Sequence, residues 1–213
     1  MKITLFGAAG NMGSRISREA VDRGHDLTAV VRGKDESVIS DERVRVAQGD
    51  ATRLEDVERL CSDAEIVIAA TRPPAGHETQ LLESTATLLK ALSHTSTRLL
   101  ISGGAASLFV PDHVDRLLIQ DSRYMPESAM AIGQACLEQL ELCRASIAVD
   151  WTYLSPSALL VPGERTGKFR LGADELITDS NGLSRISMED LAVALLDEAE
   201  QARFIRRRFT AGY

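Results

Sequence analysis

Ile3-Thr4-Leu5-Phe6-Gly7-Ala8-Ala9-Gly10-Asn11-Met12-Gly13 decides how this chain is read. Ile3 to Phe6 is a short apolar run that stops at Gly7, and the stretch from Met12 to Arg23 brings Met12, Ile16, Ala20 and Val21 close to one helical face. The order is strand, glycine turn, helix. Gly7, Gly10 and Gly13 therefore spell GxxGxxG directly after the strand and into the helix. A dinucleotide diphosphate needs backbone amides at a helix N-terminus, and glycines where side chains would block its approach; this placement supplies both. Ala9, Asn11 and Met12 share the turn and join the three glycines as candidate cofactor-binding residues. The competing reading is a tight strand-to-helix turn that holds no ligand.

Working outward, the same alternation repeats. Leu27 to Val31 ends at Arg32-Gly33, Val44 to Ala47 ends at Gly49-Asp50, and Glu65 to Ala70 and Arg98 to Ile101 are further β-rich runs. A helical segment from about His77 to Leu92 separates the last two. Glu127 to Ala145 reads as one long helix, and Trp151 to Leu154 as another strand. Gly163 to Arg185 is rich in Gly and charge and reads as loops and small strands. Ser187 caps a final helix, with Asp190 at its third position, that runs to about Glu200, and Phe209-Thr210 suits a last strand. Short buried strands alternating with helices make the fold class α/β, a doubly wound parallel sheet of Rossmann type with a small C-terminal substrate-binding portion. Without an internal repeat or a composition break, residues 1–213 read as one domain, with residues from about 155–187 forming much of the substrate-side lobe.

Composition bounds the function. The 213 residues are 44% hydrophobic and 26% charged, which excludes a disordered chain, and 24 Lys and Arg against 31 Asp and Glu give a formal charge of -7, which argues against a nucleic-acid partner. Cys61, Cys136 and Cys143 lack metal-type spacing. Cys136 and Cys143 would lie about 10 Å apart along one helix, too far for a disulfide there, so a reduced, cytoplasmic protein is expected. No apolar run reaches the ~18 residues of a membrane helix, and only four residues separate Lys2 from Gly7. His25, His77, His94 and His113 form no metal pattern, and no Gly-x-Ser-x-Gly elbow of a serine hydrolase is present.

The ends of the other strands supply the remaining candidates. Where an NAD-preferring enzyme commonly places an acid, the second strand ends in Arg32, which suits the 2′-phosphate of NADP, with Lys34 and Arg15 positioned to join it. NADPH is expected over NADH. Asp50 can accept from the adenine amino group or cap the helical segment that follows. Ala70, Thr71 and Arg72 lie where the loop after the fourth strand passes the nicotinamide ribose, with Arg72 equally readable as a contact to phosphate or substrate and as a surface residue. Ser102 is the first hydroxyl off the fifth strand and a candidate proton donor or polarising group. Tyr124 is a candidate phenolic acid, yet Ser128 stands four residues on, so a Tyr-xxx-Lys pair is absent and a pocket wall is the better role. Ser155 and Pro156 follow the strand of Trp151 and suit the backbone cradle around the nicotinamide.

These residues resemble the atypical short-chain dehydrogenase/reductase superfamily, and within it the small NAD(P)H-binding proteins similar to flavin reductases and biliverdin reductase B. Gly7 to Gly13, the Val31-Arg32 strand end, Gly49-Asp50, Asp150 to Pro156 and Gly163-Glu164-Arg165-Thr166-Gly167 carry the resemblance, which spans nearly the whole chain. It implies NADP held through Gly7, Gly10, Gly13 and Arg32, and a pocket over the nicotinamide built from the second half. The absent Tyr-xxx-Lys pair, and Ser157 where the biliverdin-reductase-like members lead one to expect histidine, depart from the pattern and argue against acid-catalysed carbonyl reduction. The expected activity is NADPH-dependent hydride transfer to a small-molecule acceptor, a quinone or free flavin, by a monomer or homodimer. A non-catalytic NADP-sensing regulator is the alternative.

Overall fold

The computed structural model describes residues 1–33, 38–111, 113 and 115–213. Ten strands and five helices of conventional length follow one another as β1 (Lys2–Phe6), α1 (Asn11–Asp22), β2 (Asp26–Val31), β3 (Val44–Gln48), α2 (Leu54–Cys61), β4 (Ile66–Ala69), α3 (Thr79–Leu92), β5 (Arg98–Ser102), α4 (Met130–Ala145), β6 (Trp151–Ser155), β7 (Leu159–Val161), β8 (Arg170–Gly172), β9 (Arg185–Ser187), α5 (Met188–Gln201) and β10 (Arg207–Gly212) among the described residues. The main sheet has eight strands in the order β3-β2-β1-β4-β5-β6-β10-β8. All neighbours in it are parallel except β8, which runs antiparallel to β10. β7 and β9 form a separate parallel pair.

Alternation along each strand feeds two cores. From β1, Ile3 and Leu5 pack on one side with Ile16 and Ala20 of α1 and Leu191 and Leu195 of α5, while Phe6 packs on the other side with Val57, Leu88 and Leu140 of α2, α3 and α4. Burial on both faces explains why the strands read as near-continuous apolar runs. The strand order reverses between β1 and β4. In a doubly wound sheet the crevice outside the carboxyl ends of the strands at that switch is where a ligand binds.

Two buried carboxylates organise the C-terminal half. Ser187 caps α5 as expected, its Oγ accepting from the Asp190 amide at 3.0 Å. Asp190 itself accepts from the Thr166 and Gly167 amides, each at 2.8 Å, and from the Tyr213 hydroxyl at 2.8 Å. Glu198 accepts from the Arg98 guanidinium at 2.8 Å and from the amides of Arg203 and Phe204, each at 3.0 Å. Both acids lie in the α5 layer, and together they fix the 163–167 loop and the approach to β10. The long helix differs from expectation at its start: Glu127–Ala129 is a separate 3₁₀ turn behind Pro126, and the α-helix begins at Met130. No helix among the described residues is long and apolar enough to cross a membrane.

Candidate functional site

A continuous cavity of about 1010 Å³ runs along the carboxyl edge of the sheet, at the top of the ~300–1,000 Å³ range usual for ligand pockets. Its first half is made by the β1-α1 turn and the ends of β2 and β3. Gly7 adopts φ +83, and a Cβ there would stand 2.6 Å from the Ala70 carbonyl oxygen, so both conformation and space require glycine. A Cβ on Gly13 would meet the Gly7 carbonyl oxygen at 1.9 Å. Gly13 does not front the cavity; it lets α1 begin directly against the turn. The helix opens at Gly10 with no side-chain cap and no acidic residue in its first turn. Its first amides are therefore left for an anion, which the helix dipole also favours.

Gly7, Ala9, Gly10, Asn11, Met12, Arg32, Asp50, Ala70, Thr71 and Arg72 all line this cavity. Arg32 is exposed, and its backbone carbonyl accepts from the Gln48 amide nitrogen at 3.0 Å, while its side chain has no partner among the described residues. Asp50 lines the cavity but does not cap α2, whose N-cap is Arg53 with no side-chain cap bond; one of its oxygens accepts instead from the Thr52 amide at 2.9 Å and hydroxyl at 2.8 Å, shaping the approach to that helix. Arg15 is a correction. It is ion-paired with Glu189 at 2.8 Å and donates to the Asn11 carbonyl, because that side of α1 faces α5 and not the end of β2. Lys34, the other expected companion of Arg32, lies outside the described residues.

The second half is lined by Ser102 to Ala106 after β5, Tyr124 to Pro126, the α4 residues Ile132, Gly133, Cys136 and Gln139, and Pro156 to Leu160 after β6. Ser102 fronts the cavity, and its hydroxyl has no protein partner among the described residues. Tyr124 forms wall, its hydroxyl donating to the Gly182 carbonyl at 3.0 Å, which leaves that proton committed. Ser155 is a second correction. The strand runs through it, it is buried, and its hydroxyl, beside Thr210 of β10, has no hydrogen-bond partner among the described residues, so of the two expected cradle residues Pro156 lines the cavity and Ser155 does not. Of the 155–187 segment, Pro156–Leu160 front the cavity, while Gly163 and Arg165 are tied to Glu189 and Glu19.

Beneath the second half lies a polar chain that sequence reading missed. The Tyr153 ring packs directly under Gly103, where a Cβ would meet its Cζ at 2.0 Å. Its hydroxyl accepts from the Gly104 amide at 3.1 Å and has two acceptors for its one proton, the Cys136 carbonyl and Gln139 Oε1, each at 3.1 Å. Gln139 donates in turn to Thr85 Oγ1 at 2.9 Å. Burial holds the Tyr153 phenol well above its ordinary pKa, so it stays protonated and works as a strut. The spacing of Ile132, Cys136 and Gln139, four and then three residues, was the available signal for a shared helix face.

A glycine turn at a topological switch point, an uncapped helix start and an arginine at the next strand end make the dinucleotide edge of a Rossmann-type protein. The chain belongs to the NAD(P)H-binding family, whose model matches residues 7–199. It is 35% identical to the uncharacterised protein YwnB of Bacillus subtilis over 99% of this chain and 97% of that protein. Among solved structures it is similar to a provisionally named epimerase from Bacteroides thetaiotaomicron, with 36% identity, a TM-score of 0.90, and 100% and 96% of the two chains covered. It is also similar to a provisionally named NADH-flavin reductase from Streptococcus pneumoniae, with 30% identity, a TM-score of 0.86, and 100% and 99% covered.

Proposed function

We propose that this protein is an NADPH-dependent reductase that passes hydride to a flat acceptor, a quinone or a free flavin, stacked in the second half of the cavity. The observation that carries the reading is the single cavity itself: one half offers free helix-start amides and Arg32, and the other offers an uncharged glycine-rich edge and an apolar helix face, with no break between them. The amides of the β1-α1 turn would hold the diphosphate, Arg32 the 2′-phosphate, Asp50 the adenine amino group, and Thr71 and Pro156 the nicotinamide end. When bound, NADPH supplies a hydride, which together with one proton reduces the acceptor by two electrons. The chain's own residues hold the two rings together and keep water from between them. Ser102 can donate its free hydroxyl to an acceptor oxygen or nitrogen, and Tyr124 closes the side of the pocket. Flat acceptors of this kind take hydride with little help from a protein acid, which suits a site without a Tyr-xxx-Lys pair. The protein would act as a monomer or homodimer in a reducing, cytoplasmic setting.

The test is loss of NADPH absorbance with purified protein against a panel of quinones and free flavins, each with a no-protein control. Saturable, acceptor-dependent oxidation is expected. Tight NADPH binding with no acceptor reduced would replace this reading with that of an NADP sensor acting through a protein partner.

A further inference from the structure

The cavity holds an unusual inventory of charge. Arg32, Asp50 and Arg72 are its charged lining side chains among the described residues. Arg32 and Asp50 stand at the ends of β2 and β3, on the adenosine side. Arg72 stands beyond the end of β4, and the wall that continues from it through Ser102, Gly103 and Gly104 to the α4 face carries no other charge. Several of the protein's other arginines have acidic partners: Arg15 has Glu189, Arg98 has Glu198, Arg165 has Glu19 and Arg208 has Asp174. Arg72 has no such partner among the described residues, although the sequence holds 31 acids against 24 bases. An unpaired guanidinium at a cavity wall is a ready fork for a phosphate or carboxylate.

From these observations we infer that Arg72 selects an acceptor bearing an anionic group, so that a phosphorylated flavin such as FMN is preferred to the neutral flavin of the same ring system. The inference rests on the reductase reading and narrows its acceptor class. Two arguments direct Arg72 to the acceptor and not to the cofactor. The cofactor's anionic groups already have holders, the diphosphate at the α1 amides and the 2′-phosphate at Arg32. The guanidinium also acts across the acceptor half: its positive charge pulls down the Cys136 thiol on α4, against the larger effect of burial, which pushes that thiol up to about 11. Pro73 follows Arg72 directly in the sequence and restricts the backbone from which it projects. A ring lying on the edge from Ser102 to Gly104, against Ile132 and Gly133, would place its anionic substituent toward the open side where Arg72 stands.

The experiment compares FMN with riboflavin in wild-type protein and in Arg72→Gln, an exposed position whose substitution leaves the core untouched. The FMN-to-riboflavin ratio of kcat/KM is expected to fall about tenfold in the variant, the effect of one lost charge-assisted hydrogen bond at an accessible site. Arg72→Lys should recover part of the ratio. In parallel, quenching of flavin fluorescence by NADP⁺-loaded protein gives the ratio of the two dissociation constants without turnover. If wild-type protein reduces neither flavin nor any quinone yet binds FMN in an Arg72-dependent way, the reductase reading fails and the anion site stands. An unchanged ratio in both assays overturns the inference, and a simultaneous loss of NADPH affinity would assign Arg72 to the cofactor. Failure of wild-type protein to bind either flavin overturns it as well.

Discussion

The two halves of the cavity are built by different rules. On the adenosine side, seven consecutive residues, Gly7 to Gly13, make the turn and the helix start, so a local sequence carries a local function. On the acceptor side, the wall is gathered from the β4 and β5 loops, α4 and the residues after β6, and its shape depends on a buried strut from a strand behind it. The first kind of site tolerates almost no change in its own few residues. The second kind can be altered one wall at a time.

The largest expected effect lies on the adenosine side. Gly13→Val would drive methyl groups into the Gly7 carbonyl, where even a Cβ stands at 1.9 Å, and should cost about 3 kcal/mol of stability by denaturant unfolding together with most of the NADPH affinity by calorimetry. Wild-type-like binding in that variant would break the claim that this side cannot give. Next is Arg32→Ala, expected to lower the preference for NADPH over NADH by roughly ten- to a hundredfold through loss of a charge-assisted pair with the 2′-phosphate. An unchanged coenzyme ratio in steady-state kinetics would remove the 2′-phosphate argument altogether.

Smaller effects should mark the acceptor side. Tyr153→Phe keeps the ring under Gly103 and removes the hydroxyl that accepts from Gly104; about 1–2 kcal/mol of stability should be lost, with acceptor KM rising more than NADPH KM. Equal changes in the two KM values would show that the strut is not specific to one half. The smallest effect concerns the scaffold. The Arg165 guanidinium holds the Glu19 carboxyl below its ordinary 4.5, with Arg23 adding to it against burial. A depressed carboxylate contributes stability above its unfolded pKa and loses it as pH falls through the folded value, so Glu19→Gln should be less stable than wild type at neutral pH, and the gap should close as pH drops below about 4.5. Thermal melts across that range would test the sign.

The same contrast explains what was legible in the sequence. Strand, turn and helix were readable at Gly7 to Gly13 because contiguous residues make the contacts, and the two-sided core was readable because both faces of each strand are apolar. Arg15 was misplaced because sequence distance does not say which side of α1 faces α5. Ser155 was misplaced because pairing with β10, some fifty residues later, carries the strand through it and buries its hydroxyl. Cys136 and Gln139 met no motif, and Tyr153, although inside the Asp150 to Pro156 stretch, drew no role, since their meeting depends on the packing of α4 over β5 and β6.

The strand order also sets how the molecule can grow on the ribosome. β1 is made first, yet it lies between β2 and β4, so its second neighbour exists only once residue 69 has been synthesised. By then the glycine turn and the ends of β2, β3 and β4 have all been synthesised. Each later strand of the main sheet through β6 and β10 is added outward from that nucleus, and β10 cannot pair with β6 until the chain is within a few residues of Tyr213. Every residue of the β1-α1 turn and of the ends of β2, β3 and β4 is thus synthesised before any of α4 exists, and the far wall of the cavity is the later part of the chain.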